Sequence, residues 1–341
     1  MRISSSAIPQ SRTLMRGLML GDKYAKEAAE EMVGREIGTG KSAVAALNDA
    51  GALWDVELRD AYYLDPRAKA YAAQDNAFWV TRTDTDRPVT GSTVSGAYQP
   101  FQNRAMGEWA DLLVDLASPD HVAAVTVNGG QKVMVLIKLT PSQVAFSVGQ
   151  DVTPMMAVGT GHDGGTSLFA STMAFQQVCA NTLHWAVPKT TASIRIRHTR
   201  SMEIQVAEAQ RALNLATTWS EGFDRELEQL LETEVTYLRA AQLLEAEWPT
   251  SEAEDIQPRT RTNRVQAHNG VMAVRANIDD AFRDTGFGFM SAVTEWEQWD
   301  RTGTKLSGPE RHLRAIANEK AGTDRLATRF RNRLLDPALA N

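Results

Sequence analysis

Three short stretches of this chain hold residue types from which enzymes build reactive centres. Gly38-Thr39-Gly40-Lys41-Ser42 resembles the end of a phosphate-binding loop, whose backbone amides cradle phosphate and whose lysine reaches its outer oxygens. The complete pattern needs a glycine five positions before Gly40, where Arg35 stands, and a strand ahead of it, where Lys23 to Val33 reads as a charged helix. The stretch therefore reads as a helix-capping loop. His162-Asp163 offers two metal ligands, with His184 or His198 as a third, but no H-E-x-x-H spacing accompanies them, and glycine, histidine and aspartate are ordinary turn residues. Ser171, Thr172 and His184 lack the G-x-S-x-G elbow and a nearby acid. Cys179, inside an apolar run, reads as a small hydrophobe, and Asn181 as a core amide that ties neighbouring backbone together. These residues predict no catalytic site, no metal and no cofactor; a nuclease using Asp163 with Mg²⁺ is the enzymatic alternative.

Charge distribution is more informative. The chain has a net charge of −6, yet between Asp120 and Glu203 its only carboxylates are Asp151 and Asp163, against Lys132, Lys138, Lys189, Arg195, Arg197 and Arg200. A region cleared of acids in an acidic protein suits an anion, and a nucleic-acid backbone is the anion that matches a row of cations. Ile194 and Ile196 alternate with Arg195 and Arg197, so a strand would bury the isoleucines and present both guanidiniums about 7 Å apart, close to the phosphate spacing of an extended single strand. Phe78, Trp79, Tyr98, Phe101 and Phe169 are interleaved with this region as candidates for base stacking, although most are expected in the core.

The elements that must position these residues follow from period and punctuation. Residues 1 to 21 read as a loose arm; Ser42 N-caps a helix that ends at Ala50, before Gly51. Ala77 to Arg82 and Thr93 to Phe101 predict strands around an Asp84-to-Pro88 turn, and Asn103 caps a helix with Met106, Trp109, Leu112, Leu113 and Leu116 at helical spacing. His121 to Val127 and Gln131 to Leu139 form the clearest hairpin, turning at Asn128-Gly129-Gly130. Its second strand puts Val133, Val135, Ile137 and Leu139 on one face, and Lys132 and Lys138 on the other with Met134 and Leu136 between them. Met155 to Gly161 and Ser167 to Phe175 bracket a second turn, and Val178 to Val187 predicts a buried helix. Past Glu203 the periodicity is helical: an acidic stretch from Glu221 to Asp255, a basic linker or loop at Pro258 to Arg264, and a final helical region to Leu335 rich in arginine. For the acidic stretch, a solvated helix and pairing with the arginine-rich end of a neighbouring subunit are both open.

The fold class expected is α+β: a twisted, mostly antiparallel sheet backed by helices, with a helical C-terminal region. The expected divisions are 1–40 (arm and helix), 41–202 (α+β core) and 203–341 (helical region). No run approaches the roughly 18 apolar residues of a membrane span, and no secretory signal is evident at the N-terminus. One cysteine excludes an internal disulfide framework. Bacterial host cytoplasm is the expected location.

Six phrases together resemble the uncharacterised phage/plasmid-like protein family, a domain of unknown function in phages, plasmids and actinobacteria: DAGALWDVEL (49–58), VSGAYQPFQN (94–103), GHDGGTSL (161–168), VCANTL (178–183), IRHT (196–199) and GFGFMSAVTEWEQW (286–299). The resemblance implies a mobile-element origin and brings no catalytic residues. The order of hairpins and helices, with a basic strand face, is also similar to single-strand annealing proteins of the RecT and Redβ type, which assemble as rings or filaments on DNA. The expectation is thus a homo-oligomer that binds single-stranded DNA through Lys132, Lys138, Lys189, Arg195, Arg197 and Arg200, without chemistry and without membrane contact; the alternative is a mobile-element interaction protein acting by self-assembly or capture of a host protein.

Overall fold

The computed structural model describes residues 37–89, 92–117, 122–127, 129–139, 152–176, 181–183, 193–196, 211, 222–250, 257–301 and 323–335. The fold is α+β, with antiparallel sheets first and helices in the C-terminal half. The segment Lys23 to Val33, read as a helix, lies outside the described residues.

The chain enters the larger sheet at β1 (Ile37–Gly40) and turns directly into α1 (Ala43–Asp49). Ser42 caps this helix by accepting from the amide of Ala45, and Gly51 follows at φ +62°, as expected. Gly38 is needed for close approach: a Cβ there would lie 2.0 Å from the carbonyl oxygen of Ala46. Next, β2 (Val56–Asp65) and β3 (Ala70–Arg82) form a long hairpin, joined by the short β4 (Arg87–Pro88) into a three-stranded sheet. Only the end of β3 was legible as a strand. The expected strand Thr93 to Phe101 is a loop that touches β3 through one bridge, Phe78 to Val94, because Gly96 and Pro100 break the ladder.

After α2 (Asn103–Ala117) come β5 (Val122–Val127), β6 (Lys132–Lys138), β7 (Val152–Gly161), β8 (Leu168–Gln176), β9 (Asn181–Leu183) and β10 (Ser193–Ile196). The order across the sheet is β1-β5-β6-β7-β8-β10, with β9 also paired to β8. Both predicted hairpins are present, and Gly129 and Gly130 supply positive φ at the first turn. The predicted helix Val178 to Val187 is corrected within its described part: Asn181 to Leu183 pair with β8, so edge pairing overrides the helical reading of an apolar run.

One face of the sheet packs on α1 and α2, joining Val122, Ala124, Val133, Val135, Ile137, Met156 and Val158 to Leu47, Met106, Trp109 and Leu113. The opposite face is buried as well, at Val125, Met134, Leu136, Met155, Ala157, Phe169 and Met173. A continuous apolar strand such as Lys132–Lys138, buried at every interior position, fits a sheet covered on both sides.

The C-terminal half builds its own core from helical residues 222–232 (α3), α4 (Tyr237–Glu247), α5 (Pro258–Ala276), α6 (Asp280–Arg283), α7 (Gly286–Glu295) and α8 (Thr323–Leu335), around Phe223, Leu244, Val271, Phe289, Trp296 and Phe330. Two expectations change here. The acidic stretch breaks at Thr233 to Val235, where Thr236 caps α4 and Gly286 donates to the Thr233 carbonyl at 2.7 Å. The basic segment Pro258 to Arg264 is the start of α5, since proline is tolerated in a first helical turn. The arginines pair within the chain: Arg331 with Glu226, and Arg329 and Arg333 with Glu247.

Candidate functional site

Strands β5 to β10 carry Lys132, Lys138 and Arg195 and no carboxylate. Pairing places Lys132 opposite Gly161, Lys138 opposite Met155 and Arg195 opposite Phe169, so the three cations belong to one antiparallel sheet, two on β6 and one on β10, with β7 and β8 between. The sheet does not leave an open floor between the two lysines. Met134 and Leu136 are fully buried, both lysines are half-buried, and the Lys132 ammonium, with 12% of its side chain exposed, stands 3.9 Å from Asp163. Lys189, Arg197 and Arg200 lie outside the described residues; of Arg195, the strand position is described.

Beside Lys132 the turn after β7 forms one wall of an open cleft of about 580 Å³. Asp163, Gly164 and Gly165 face Thr93, Val94, Ser95, Ala97 and Tyr98 across it. Asp163 organises its own turn, with Oδ1 accepting from the amides of Gly165 (3.0 Å) and Thr166 (2.8 Å) and Oδ2 from the Thr166 hydroxyl (3.0 Å). The Tyr98 hydroxyl donates to the Gly161 carbonyl at 2.8 Å. Burial, reinforced by the negative charge of Asp163, pushes the Tyr98 phenol well above its ordinary range, so it stays neutral.

Below the cleft lies a polar bridge that the sequence did not reveal. Asn103 is buried at the start of α2, where it was expected to cap the helix; its amide instead gives Nδ2–H to the Trp54 carbonyl (3.2 Å) and receives Nε2–H of His162 at Oδ1 (2.8 Å). The Trp54 ring stands 5.3 Å from the His162 ring, and the Arg82 guanidinium lies over Trp54 at 4.4 Å. Gln102 clamps Val56, accepting from its N–H and donating to its C=O, both at 2.9 Å. Three of the phrases that carry the family resemblance, 49–58, 94–103 and 161–168, thus meet in space. A structural amide and a turn histidine give no periodic signal; only their proximity identifies them.

The chemical alternatives can be judged from these contacts. The His162 Nε2 and both Asp163 oxygens are committed to the fold, and no group of three or more metal-ligating side chains gathers among the described residues. At the Gly38-to-Ser42 loop, the Asp111 carboxylate of α2 accepts from the amides of Ala43 and Val44. The protein's own anion occupies the position a phosphate would take. Ser171 and Thr172 are buried in β8, while Cys179 and His184 lie outside the described residues.

Among the aromatics singled out for stacking, Tyr98 and Phe169 are buried and Phe78, Trp79 and Phe101 half-buried. Exposed aromatics sit elsewhere: Tyr62 (58%), Tyr63 (50%) and Tyr71 (78%) on the β2–β3 hairpin, with Leu64 (58%) among them, and Tyr237 on α4. The Asp65-Pro66-Arg67 turn between two tyrosine-bearing runs is the signal that could have found this hairpin.

The molecule is therefore an α+β protein whose larger antiparallel sheet has no acid in its described strands and is bordered by a cleft. The chain belongs to a family described as a domain of unknown function (DUF932), whose profile matches residues 91–330. No curated protein and no solved structure matches it. Among the described residues, no helix is long and apolar enough to cross a membrane.

Proposed function

We propose that the protein binds single-stranded nucleic acid along its acid-free sheet and promotes strand annealing or recombination of phage or plasmid DNA, without chemistry of its own. One observation carries this reading: Lys132, Lys138 and Arg195 of the carboxylate-poor span fall on β6 and β10 of a single sheet, whose strands β5 to β10 hold no carboxylate, in a chain of net charge −6. Because the centre of the sheet face is buried, the strand would contact its margins, at Lys138 on one end of β6 and at β10, whose last residues align with the opposite, Lys132 end. Phosphate contact at such a rim contributes mainly counterion release and so is read in salt dependence.

The test is fluorescence anisotropy of a labelled single-stranded oligonucleotide across a salt series. Contact with about four phosphates gives a log–log slope of roughly −3 at about −0.7 per phosphate. Arg195→Ala with Arg197→Ala should flatten the slope by about one to two units, and Lys138→Ala by less than one. Binding that keeps its full slope in the double variant refutes the assignment.

A further inference from the structure

The β2–β3 hairpin has a balance of charge unlike that of the sheet. Glu57, Asp60, Asp65 and Asp75 stand against Arg59, Arg67, Lys69 and Arg82, so the hairpin offers no net attraction to a polyanion. What it exposes is apolar surface and an edge that no described strand pairs with. Leu64 pairs directly with Tyr71, and Tyr62 lies two residues along β2, which places Tyr62, Leu64 and Tyr71 on one side of the ribbon. Among the described residues β2 pairs only with β3. At its first residue, Gln102 already satisfies the outward N–H and C=O of Val56 as a strand partner would. The register with β3 shifts between Asp60 and Tyr62, but the extra residues are on β3 and β2 contributes Ala61 alone, so alternation along β2 turns the backbone groups of Leu58, Asp60, Tyr62 and Leu64 to the same edge. An exposed apolar edge strand is a template for pairing with another chain.

We infer that β2 pairs antiparallel with β2 of a second copy of this chain about a two-fold axis at Tyr62, making the protein a dimer through its hairpins. The register follows from charge. An axis at Tyr62 sets Arg59 opposite the second copy's Asp65, with the reciprocal pair generated by symmetry, and brings Glu57 toward the second copy's Arg67 just past the strand end. Shifting the axis to Ala61 sets Arg59 opposite Tyr63 and Glu57 opposite Asp65, losing the opposite-charge pairs. Arg59 holds Glu57 and Asp86 within its own chain and still has 45% of its side chain exposed toward such a partner.

Sedimentation equilibrium of the full chain at micromolar concentration, without nucleic acid, tests this directly. The wild-type protein should have twice the chain mass. Arg59→Asp alone and Asp65→Arg alone, the latter also giving up the bonds Asp65 accepts from the Arg67 and Ala68 amides of its turn, should each sediment as monomers, and the two combined should restore the dimer, which a folding defect would not do. In a Cys179→Ser background, Tyr62→Cys should form a covalent dimer on oxidation, because residues on the axis of a hydrogen-bonded antiparallel pair have Cα atoms about 5.5 Å apart, inside the roughly 4.4–6.8 Å that a disulfide spans. A monomeric wild type, single charge variants that remain dimeric, or a Tyr62→Lys variant that alters only oligonucleotide binding would each overturn the proposal. Strand binding is read separately by the anisotropy series, so either proposal can fail alone.

Discussion

Nε2 of His162 lies 2.8 Å from Oδ1 of Asn103, and this bond joins the turn after β7 to the first residue of α2. It couples the main sheet to the segment that also holds Trp54 in place, since the same Asn103 amide donates to the Trp54 carbonyl.

Asn103→Ala removes partners from a buried N–H and a buried C=O at once, so it should destabilise the protein by about 2–4 kcal/mol, and His162→Phe by a comparable amount. Urea denaturation checks this. Asn103→Asp, which keeps the acceptor but loses the donor to Trp54, should fall between wild type and Asn103→Ala if the His162 bond dominates.

Tyr98 should make stability sensitive to alkali. Its phenol is held above the ordinary range in the folded protein, so its contribution is intact below about pH 10 and is lost as pH rises beyond it, when the unfolded chain ionises. At pH 8, Tyr98→Phe should cost about 1 kcal/mol through the lost bond to Gly161. Above pH 10 that gap should narrow and then reverse, measured as urea midpoints of the two proteins side by side.

The half-buried pair Glu226–Arg331 gives an asymmetric expectation. Burial raises the Glu226 carboxyl against the opposing pull of Arg331, so its charge is a cost at neutral pH that lessens as acidification protonates it in the folded state. Glu226→Gln should change stability by less than about 1 kcal/mol, whereas Arg331→Ala, which strands the carboxylate, should cost about 3 kcal/mol. Thermal melts at pH 7 and pH 5 should show the Arg331→Ala loss shrinking at the lower pH.

Elements with a strong local signature were legible in the sequence. The Asn128-Gly129-Gly130 turn fixed its hairpin through backbone φ, and Ser42 with Gly51 bounded α1 through capping chemistry. Where two local readings were nearly equal in energy, packing decided. Pro258 to Arg264 carries turn-like residues and an unfavourable positive charge for a helix start, yet it is helix because α5 buries Ala267, Val271 and Val274 further along. Thr93 to Phe101 has β-forming residues, but Tyr98 is drawn off to Gly161, and a loop results.

The charge pattern of residues 120 to 203, the α+β class and the helical C-terminal half were determined by the sequence alone, because composition and hydrophobic period are properties of the chain before it folds. Tertiary structure alone decided that both faces of the sheet are covered, that Asp111 fills the anion position at Ala43, that the C-terminal arginines pair within their own chain, and that Asn103 meets His162. Each depends on which distant segments come within a few ångströms of one another, and a periodicity of two or 3.6 residues carries no information about that distance.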